Sequence, residues 1–200
     1  MKTQLLIASG NPGKIREIKA LLSHLEITIL STLNVEKNQV EETGATYREN
    51  AQIKALAYLA QTGMPVLADD SGLEVDVLQG APGIFSARFS PLENATDGDR
   101  RRHLLTQLEG QPQPWKAHFH CTAVLALPGG EIFETTGCCE GTIIPEERGS
   151  GGFGYDPVFF LPEYQATMAE LPAGIKNLIS HRAKAMTAML PFIEEKLIEE

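Results

Sequence analysis

Four acidic residues fall within the ten-residue stretch LADDSGLEVD, at positions 67–76. Asp69 and Asp70 come directly after Pro65 to Ala68, a short apolar run typical of a buried strand. Successive side chains on a strand point to opposite faces, so the two carboxylates are not expected at one site. We assign the chemistry to Asp70, because it begins the Ser-Gly turn expected where the strand ends, and open α/β sheets bind their ligands there.

The other acids of this stretch are expected to have non-catalytic roles. Asp69 is predicted to hold loop backbone through hydrogen bonds. Glu74 and Asp76 alternate with valines, a pattern typical of a half-exposed strand, and they are predicted to be solvated.

A carboxylate that acts together with waters and phosphate oxygens is a typical ligand of Mg²⁺, which prefers hard oxygen donors. The sequence therefore predicts a magnesium site at Asp70. Glu41 and Glu42 lie in the loop before a predicted helix, where carboxylates are either solvated or available to a hard cation.

A second candidate site is the segment SGNPGK, between the first predicted strand and the first predicted helix. Asn11 suits a helix N-cap and Pro12 suits the first helical position. Free N–H groups and the positive end of the helix dipole would then form an anion site, to which Lys14 adds a cation. The alternative is an ordinary capped helix with a solvated lysine, and the segment matches neither a P-loop nor a dinucleotide-binding motif.

The next helix opens with Thr46-x-x-Glu49, which predicts a capping box. Asn50 and Lys54 are four residues apart and share a helical face beside the apolar stripe. Lys54 either snorkels to solvent or reaches into a site. We assign it to catalysis together with Asp70.

Two further polar clusters are weaker candidates. His118 and His120 could share a metal from one face of a strand, but the sequence offers no third ligand nearby, so a surface position is the preferred interpretation. Arg100 to Arg102, balanced by Asp97 and Asp99, are predicted to form a solvated helix face.

Strands and helices alternate along the chain. Helical periodicity is found at 14–25, 46–61, 96–108 and 180–197, and strands are predicted at 4–8, 27–30 and 65–68, with a hairpin over 117–141. No repeat or low-complexity linker interrupts the pattern. We predict an α/β domain in which helices cover a mixed sheet.

Composition limits the classes of function. A chain of 200 residues with 42% hydrophobic residues is long enough for one well-packed domain. A net charge of −9 disfavours binding to a nucleic acid polymer. Three cysteines without a C-x-x-C spacing are a poor disulfide framework and suit a reducing compartment. No apolar run is long enough for a membrane span, so a cytoplasmic protein with no membrane contact is expected.

Six motifs, in order, carry a resemblance to a known family: SGNPGK, EETGATYRENAQIKA, LADDSGLEVD, GAPGIFSARF, GGFGYDPVF and KNLISHRAKA. With them the sequence resembles the inosine triphosphate pyrophosphatase family, also called dITP/XTP or non-canonical purine nucleoside triphosphate pyrophosphatases. The similarity runs from residue 5 to about residue 190. One departure is the segment Leu171-Pro172-Ala173-Gly174 before Lys176, where relatives often have a more polar stretch.

The resemblance implies one bilobed domain over residues 1–200, with an elongated mixed sheet and the active site in the cleft between the lobes. It also implies a homodimer that uses Mg²⁺ to hydrolyse ITP, dITP or XTP to the nucleoside monophosphate and pyrophosphate. Asp70 would be the general base and a metal ligand, and Glu41 would be the other carboxylate near the metal. The residues that would bind the nucleotide are Ser9, Gly10, Asn11, Pro12, Gly13, Lys14, Ser71, Phe153, Gly154, Tyr155, Asp156, Lys176, His181 and Arg182.

Two alternatives differ from this function. One is a regulatory module that binds a nucleotide without turnover, which would not need a base near the phosphate. The other is a pyrophosphatase with a different base preference. A Nudix hydrolase is not expected, because its glutamate-rich helix is absent from the sequence.

Overall fold

The computed structural model describes residues 3–32 and 40–198. The strands are β1 (Gln4–Ala8), β2 (Thr28–Ser31), β3 (Val66–Val75), β4 (Trp115–Ala126), β5 (Ile132–Ile143), β6 (Phe159–Leu161) and β7 (Ala166–Thr167). The α-helices are α1 (Pro12–Leu21), α2 (Tyr47–Thr62), α3 (Asp97–Leu108), α4 (Ala173–Ile179) and α5 (His181–Leu197). Short 3-10 helices occupy several of the connections.

The strands form one seven-stranded sheet in the order β2-β1-β3-β4-β5-β6-β7. β1 runs parallel to both β2 and β3, whereas β6 is antiparallel to β5 and to β7. The predicted α/β class with a mixed sheet is therefore confirmed. The placement of the active site in a cleft between two lobes stays a prediction.

The chain divides into two compact units, each with its own apolar core. The first comprises residues 1–70, 121–137 and 182–200. In one of its clusters Ile7 of β1 and Ile18 of α1 pack with Met189 and Ile193 of α5. The apolar stripe predicted for the first helix thus forms the inner face of α1.

The second unit comprises residues 71–120 and 138–181. Leu104 and Leu108 of α3 are fully buried there, in a cluster that also contains Phe119 and Phe159. The rings of Phe119 and Phe159 lie 4.5 Å apart. Leu104 and Leu108 thus form the inner face of the helix that the periodicity of residues 96–108 predicts.

The main correction to the predicted elements concerns β3. It was expected to end at Ala68, but it continues to Val75, so Asp70 lies within the strand and not at its end. Ser71-Gly72 is locally a turn sequence, yet β3 lies between β1 and β4 in the sheet. β1 pairs with β3 only at Val66 to Ala68, so beyond that point the neighbouring strand is β4. Backbone hydrogen bonding to a neighbouring strand favours the extended conformation over a local turn.

Both predicted helix caps are present, with one difference in detail. The side chain of Asn11 caps α1 and that of Thr46 caps α2. The carboxylate of Glu49 accepts a hydrogen bond from Ala45 N at 2.6 Å and not from the N–H of Thr46, so the predicted reciprocal capping box is incomplete. A complete capping box opens α3, between Thr96 and Asp99.

Two remaining expectations concern cysteines and membranes. Cys121, Cys138 and Cys139 are all free thiols. Over residues 3–32 and 40–198, no helix has the length and apolar character that a membrane crossing requires.

Candidate active site

The carboxylate of Asp70 is buried, with a residue exposure of 6%. Its Oδ2 accepts a hydrogen bond from Asn50 Nδ2 at 3.2 Å, and its Oδ1 lies 3.5 Å from Lys54 Nζ. Asn50 Oδ1 in turn accepts from Gly44 N at 2.8 Å, which directs the amide nitrogen of Asn50 toward Asp70. Lys54 is only 9% exposed, so of its two predicted positions the structure has the one that reaches inward.

Gly44 is required for this arrangement by its size. A Cβ at this position would lie 2.6 Å from Glu49 Cβ and 2.8 Å from Asn50 Oδ1. Real Cβ atoms do not approach so closely, so a side chain here would force Glu49 and Asn50 to shift.

A second carboxylate approaches the same lysine. Glu42 Oε1 lies 3.1 Å from Lys54 Nζ, whereas the adjacent Glu41 is exposed. The loop sequence left both glutamates open and the family resemblance implied Glu41, but in the structure Glu42 shares Lys54 with Asp70. Neighbouring side chains in a loop diverge, and the loop sequence alone does not determine which one turns inward.

The charges of this cluster perturb one another. Burial raises the pKa of Asp70, and nearby Glu42 and Asp69 raise it further, against the opposing effect of Lys54 and Lys14. Burial also opposes the charge of Lys54, but Asp70, Asp69 and Glu42 outweigh it and raise the lysine pKa. Lys54 is therefore a cation at neutral pH, beside a carboxylate that binds protons more readily than usual.

Asp69 faces a different set of partners. Its Oδ2 lies 3.0 Å from Lys14 Nζ and 3.2 Å from Arg182 Nε, and Arg182 Nη1 lies 2.6 Å from Glu17 Oε2. Asp69 was predicted to hold loop backbone, and this is wrong, because it pairs with two cations instead. Burial opposes its ionisation, but Lys14 and Arg182 outweigh burial and hold the pKa of Asp69 well below its usual value.

The beginning of α1 also differs from expectation. Asn11 Oδ1 accepts from Gly13 N at 2.8 Å and from Lys14 N at 3.2 Å, so the N–H groups expected to be free are already bonded. Ser9 Oγ accepts from Asn11 N at 3.2 Å. Pro12 has no N–H to offer, and Gly10 is exposed with open space around its Cα. The N–H groups of Asn11, Gly13 and Lys14 are therefore already bonded within the segment, so an anion here would depend mainly on side-chain donors.

The glycine-rich loop 149–157 belongs to the second unit. Asp156 is 3% exposed; its carboxylate accepts a hydrogen bond from Phe153 N at 2.9 Å and forms an ion pair with Lys176. Lys176 Nζ also lies 5.0 Å from the centroid of the Phe153 ring. α4 begins just after Pro172, so the unusual segment before Lys176 does not prevent this side chain from reaching the loop.

The remaining predicted nucleotide contacts have varied surroundings. Tyr155 is buried and its hydroxyl donates to Ser86 O at 2.9 Å. The ring of His181 stacks on Phe119 with centroids 4.7 Å apart. Ser71 on β3 is half-buried. Arg182 is 1% exposed, with its guanidinium between Asp69 and Glu17, and its predicted contact with the nucleotide stays a prediction.

The fit of a magnesium ion depends on the donor set. In the part of the chain that the structure describes, no three His, Cys, Asp or Glu residues are placed to hold a metal. Asp70 and Glu42 both lie beside Lys54 Nζ, however, and Mg²⁺ is commonly bound by one or two carboxylates, with waters and substrate phosphates as the other ligands. These two residues fit such a site.

His118 lies 3.2 Å from Glu74, so neither side chain is simply solvated.

Sequence reasoning missed several residues around these sites. Glu17 was overlooked, although it lies three residues after Lys14 on α1 and therefore on the same helical face. Arg101 of α3 donates to Gly154 O at 2.7 Å, although it was expected to be solvated. No local sequence pattern predicts the contact of Glu17 with Arg182 or of Arg101 with Gly154, because the two residues of each contact are far apart in the sequence.

Comparison with known proteins shows the family to which this chain belongs. The model of the Ham1 family matches residues 5–192, nearly the whole chain. The chain belongs to the Ham1 family. A dITP/XTP pyrophosphatase from Geobacter sulfurreducens is 48% identical over 189 residues, which cover 94% of each chain. Another from Desulforamulus reducens is 44% identical over 98% of each chain.

A solved Ham1 protein has the same fold. The structure of a HAM1 protein from Coxiella burnetii is similar with a TM-score of 0.87 and 41% identity, covering 96% of this chain and 99% of the other. The resemblance to dITP/XTP pyrophosphatases that the six motifs indicated is therefore confirmed by Ham1 relatives along nearly the full length of the chain.

Proposed function

We propose that this chain hydrolyses the non-canonical purine nucleoside triphosphates ITP, dITP and XTP to nucleoside monophosphate and pyrophosphate, with Mg²⁺ as its cofactor. The observation that carries the proposal is the buried Asp70 bonded to Asn50 and Lys54 in a member of the Ham1 family. Its relatives are named as pyrophosphatases, which does not favour a binding module without turnover.

Asp70 is the proposed general base. A raised pKa makes its carboxylate a better proton acceptor for an attacking water than an exposed aspartate. Asn50 orients the carboxylate through Oδ2, which leaves the side of Oδ1 to face Lys54. Lys54 carries a positive charge that stabilises the charge developing on the phosphate oxygens.

Asp70 and Glu42 are the proposed magnesium ligands, with Glu42 in the role that the sequence interpretation gave to Glu41. A bound Mg²⁺ would polarise the α-phosphate and orient the pyrophosphate leaving group. The two carboxylates lie on separate elements, β3 and the loop before α2, so their separation is set by the fold and not by local sequence.

The triphosphate and the base of the nucleotide are assigned to two different segments, the beginning of α1 and the glycine-rich loop. We assign the phosphates mainly to the side chains of the Ser9 to Lys14 segment, because the N–H groups of Gly13 and Lys14 are already bonded. We assign the base to Phe153, whose ring is half-buried and offers a stacking surface. A homodimer in the cytoplasm is part of the same proposal.

The test is a panel of ITP, dITP, XTP, GTP and ATP, with pyrophosphate and monophosphate measured in Mg²⁺ and in chelator. We expect equal amounts of the two products from ITP, dITP or XTP, and only with the divalent metal. Orthophosphate as the sole inorganic product, or full activity in chelator, would contradict the proposal. Tight binding of ITP without any turnover would support the regulatory module.

A further inference from the structure

Helix α3 contacts the glycine-rich loop through two charged side chains. Asp97 Oδ2 accepts a hydrogen bond from Gly154 N at 2.8 Å, and Arg101 Nη1 donates to Gly154 O at 2.7 Å. Both polar backbone groups of one loop residue are therefore held from the same helix. Asp97 and Arg101 are four residues apart, which places them on one helical face.

This arrangement overturns the expectation that the arginines of α3 form a solvated face. The side chain of Arg101 is 14% exposed, whereas that of Arg102 is 72% exposed. Arg101 Nη2 also lies 2.8 Å from Glu147 Oε2. The guanidinium therefore binds Gly154 through Nη1 and Glu147 through Nη2. Arg102 alone of the three matches the prediction.

Neighbouring groups keep Asp97 in position. Arg100 forms an ion pair with Asp97 and donates to Ala95 O at 2.7 Å. Burial opposes the charge of Asp97, but the hydrogen bonds from Gly154 and Arg100 outweigh it and lower its pKa. The acceptor for Gly154 N is therefore an ionised carboxylate at neutral pH, and hydrogen bonds to charged groups are the stronger class.

The loop residue held in this way has an unusual backbone. Gly154 has a φ of +62°, in the left-handed region, and it directly follows Phe153. Asp156 holds the N–H of Phe153 on the other side. Hydrogen bonds thus hold the backbone at Phe153 and at the residue that follows it.

We propose that Asp97 and Arg101, here called the Gly154 clamp, are positioning residues that hold the glycine-rich loop so that Phe153 presents its ring to the base. The proposal rests on the proposed function, which assigns the base to Phe153. The clamp acts through the loop backbone and is not assigned any contact with the nucleotide.

A specific kinetic signature follows from this role. Stacking on Phe153 stabilises the ground state and the transition state alike, because the bond that breaks lies between the α- and β-phosphates. Loss of such uniform binding raises KM and leaves kcat little changed. A loop that must be ordered during binding also lowers the affinity for any ligand that carries the base.

The experiment compares Asp97→Ala, Asp97→Asn and Arg101→Ala with the matched control Arg102→Ala, which removes an exposed arginine from the same helix. Steady-state hydrolysis of ITP gives kcat and KM, and inhibition by inorganic tripolyphosphate probes a ligand without a base. Hydrogen exchange of the peptide covering residues 149–157 reports the order of the loop without any need for activity.

We expect Asp97→Ala and Arg101→Ala to raise KM by about tenfold or more, as fits the loss of a hydrogen bond to a charged group. Exchange in the loop should become faster, while kcat and inhibition by tripolyphosphate change little. Asp97→Asn should recover most of the loss, because its amide oxygen still accepts from Gly154 N. Arg102→Ala should behave as the unmodified chain.

Four results would count against the clamp or separate it from the proposed function. Unchanged loop exchange in Asp97→Ala, or a KM equal to that of Arg102→Ala, would overturn it. Faster exchange throughout α3 and not in the loop would also overturn it, because Asp97 would then only stabilise the helix. Faster loop exchange in Asp97→Ala, combined with an unmodified chain that hydrolyses no nucleotide, would support the clamp and refute the proposed function.

Discussion

Asp69 and Asp70 are adjacent on β3, yet their carboxylates are held by different partners. Lys14 and Arg182 hold Asp69, whereas Asn50 and Lys54 hold Asp70. Alternation along the strand accounts for the separation. The different surroundings shift the two pKa values in opposite directions, down for Asp69 and up for Asp70. Substitution of Asp69 should therefore lower stability, whereas substitution of Asp70 should lower turnover.

Asp70→Asn should lower kcat for ITP by at least ~10²-fold, because the variant lacks the general base. Stability should stay equal or rise, since a buried carboxylate with a raised pKa is costly to ionise. The release of pyrophosphate measures kcat, and urea denaturation at pH 7 measures stability. The exposed Asp76 in the same segment supplies the matched control, Asp76→Asn, which should change neither.

Asp69→Asn should destabilise the protein by about 3–5 kcal/mol, the usual effect of removing one partner from a buried ion pair. Lys14 and Arg182 would lose the carboxylate between them, although Glu17 would still face Arg182. Urea denaturation at pH 7 measures the change, again beside Asp76→Asn. If Asp69→Asn kept full stability and lost more turnover than Asp70→Asn, the two roles would be reversed.

Glu42→Gln should weaken the binding of Mg²⁺ by the enzyme far more than Glu41→Gln does. Glu42 is the one of the two that lies beside Lys54, and Glu41 is exposed. We expect the Mg²⁺ concentration for half-maximal activity to rise about tenfold or more in Glu42→Gln, the scale typical of lost partners at metal sites. A larger rise in Glu41→Gln would restore the assignment made from the sequence.

Gly152→Ala should disturb the loop by two mechanisms. Gly152 has a φ of +70°, and a Cβ would lie 1.9 Å from a carboxylate oxygen of Asp156. The backbone strain alone costs about 1–3 kcal/mol, and displacement of Asp156 would break its ion pair with Lys176. A lower Tm and a higher KM for ITP are expected. Gly129→Ala is the control, because nothing lies within 4 Å of its added Cβ.

The contribution of Asp97 to stability should depend on pH with a defined sign. Its pKa in the folded protein is lowered from an ordinary value of 3.8, so folding favours the ionised form. The stabilisation is complete above that ordinary value and is lost as the pH falls through the lower pKa of the folded state. The difference in Tm between the unmodified chain and Asp97→Asn should therefore be largest above about pH 4 and narrow below it.

Thermal denaturation at pH 7, 5 and 3 tests this dependence. Glu93→Gln, a substitution at an exposed acid before α3, controls for general effects of acid on the fold. A difference in Tm for Asp97→Asn that stayed constant down to pH 3 would show that the charge of Asp97 contributes nothing to stability.

The sequence alone determined the parts of this protein that depend on neighbours along the chain. The α/β class, β1 and the caps of α1 and α2 follow from periodicity and from residues within four positions of one another. The motif order was also sufficient to identify the family. The shared helical face of Asn50 and Lys54 required nothing beyond helix geometry.

Tertiary structure decided the contacts between residues that are far apart in the sequence. Ser71-Gly72 is a local turn signal, but β3 stays extended through it, beyond the end of its pairing with β1 and with β4 as the neighbouring strand. Whether Glu41 or Glu42 turns toward Lys54, and whether Arg101 or Arg102 reaches Gly154, depends on surfaces contributed by other segments. Adjacent residues of one type have the same local propensity, so only packing and charge pairing in the folded chain distinguish them.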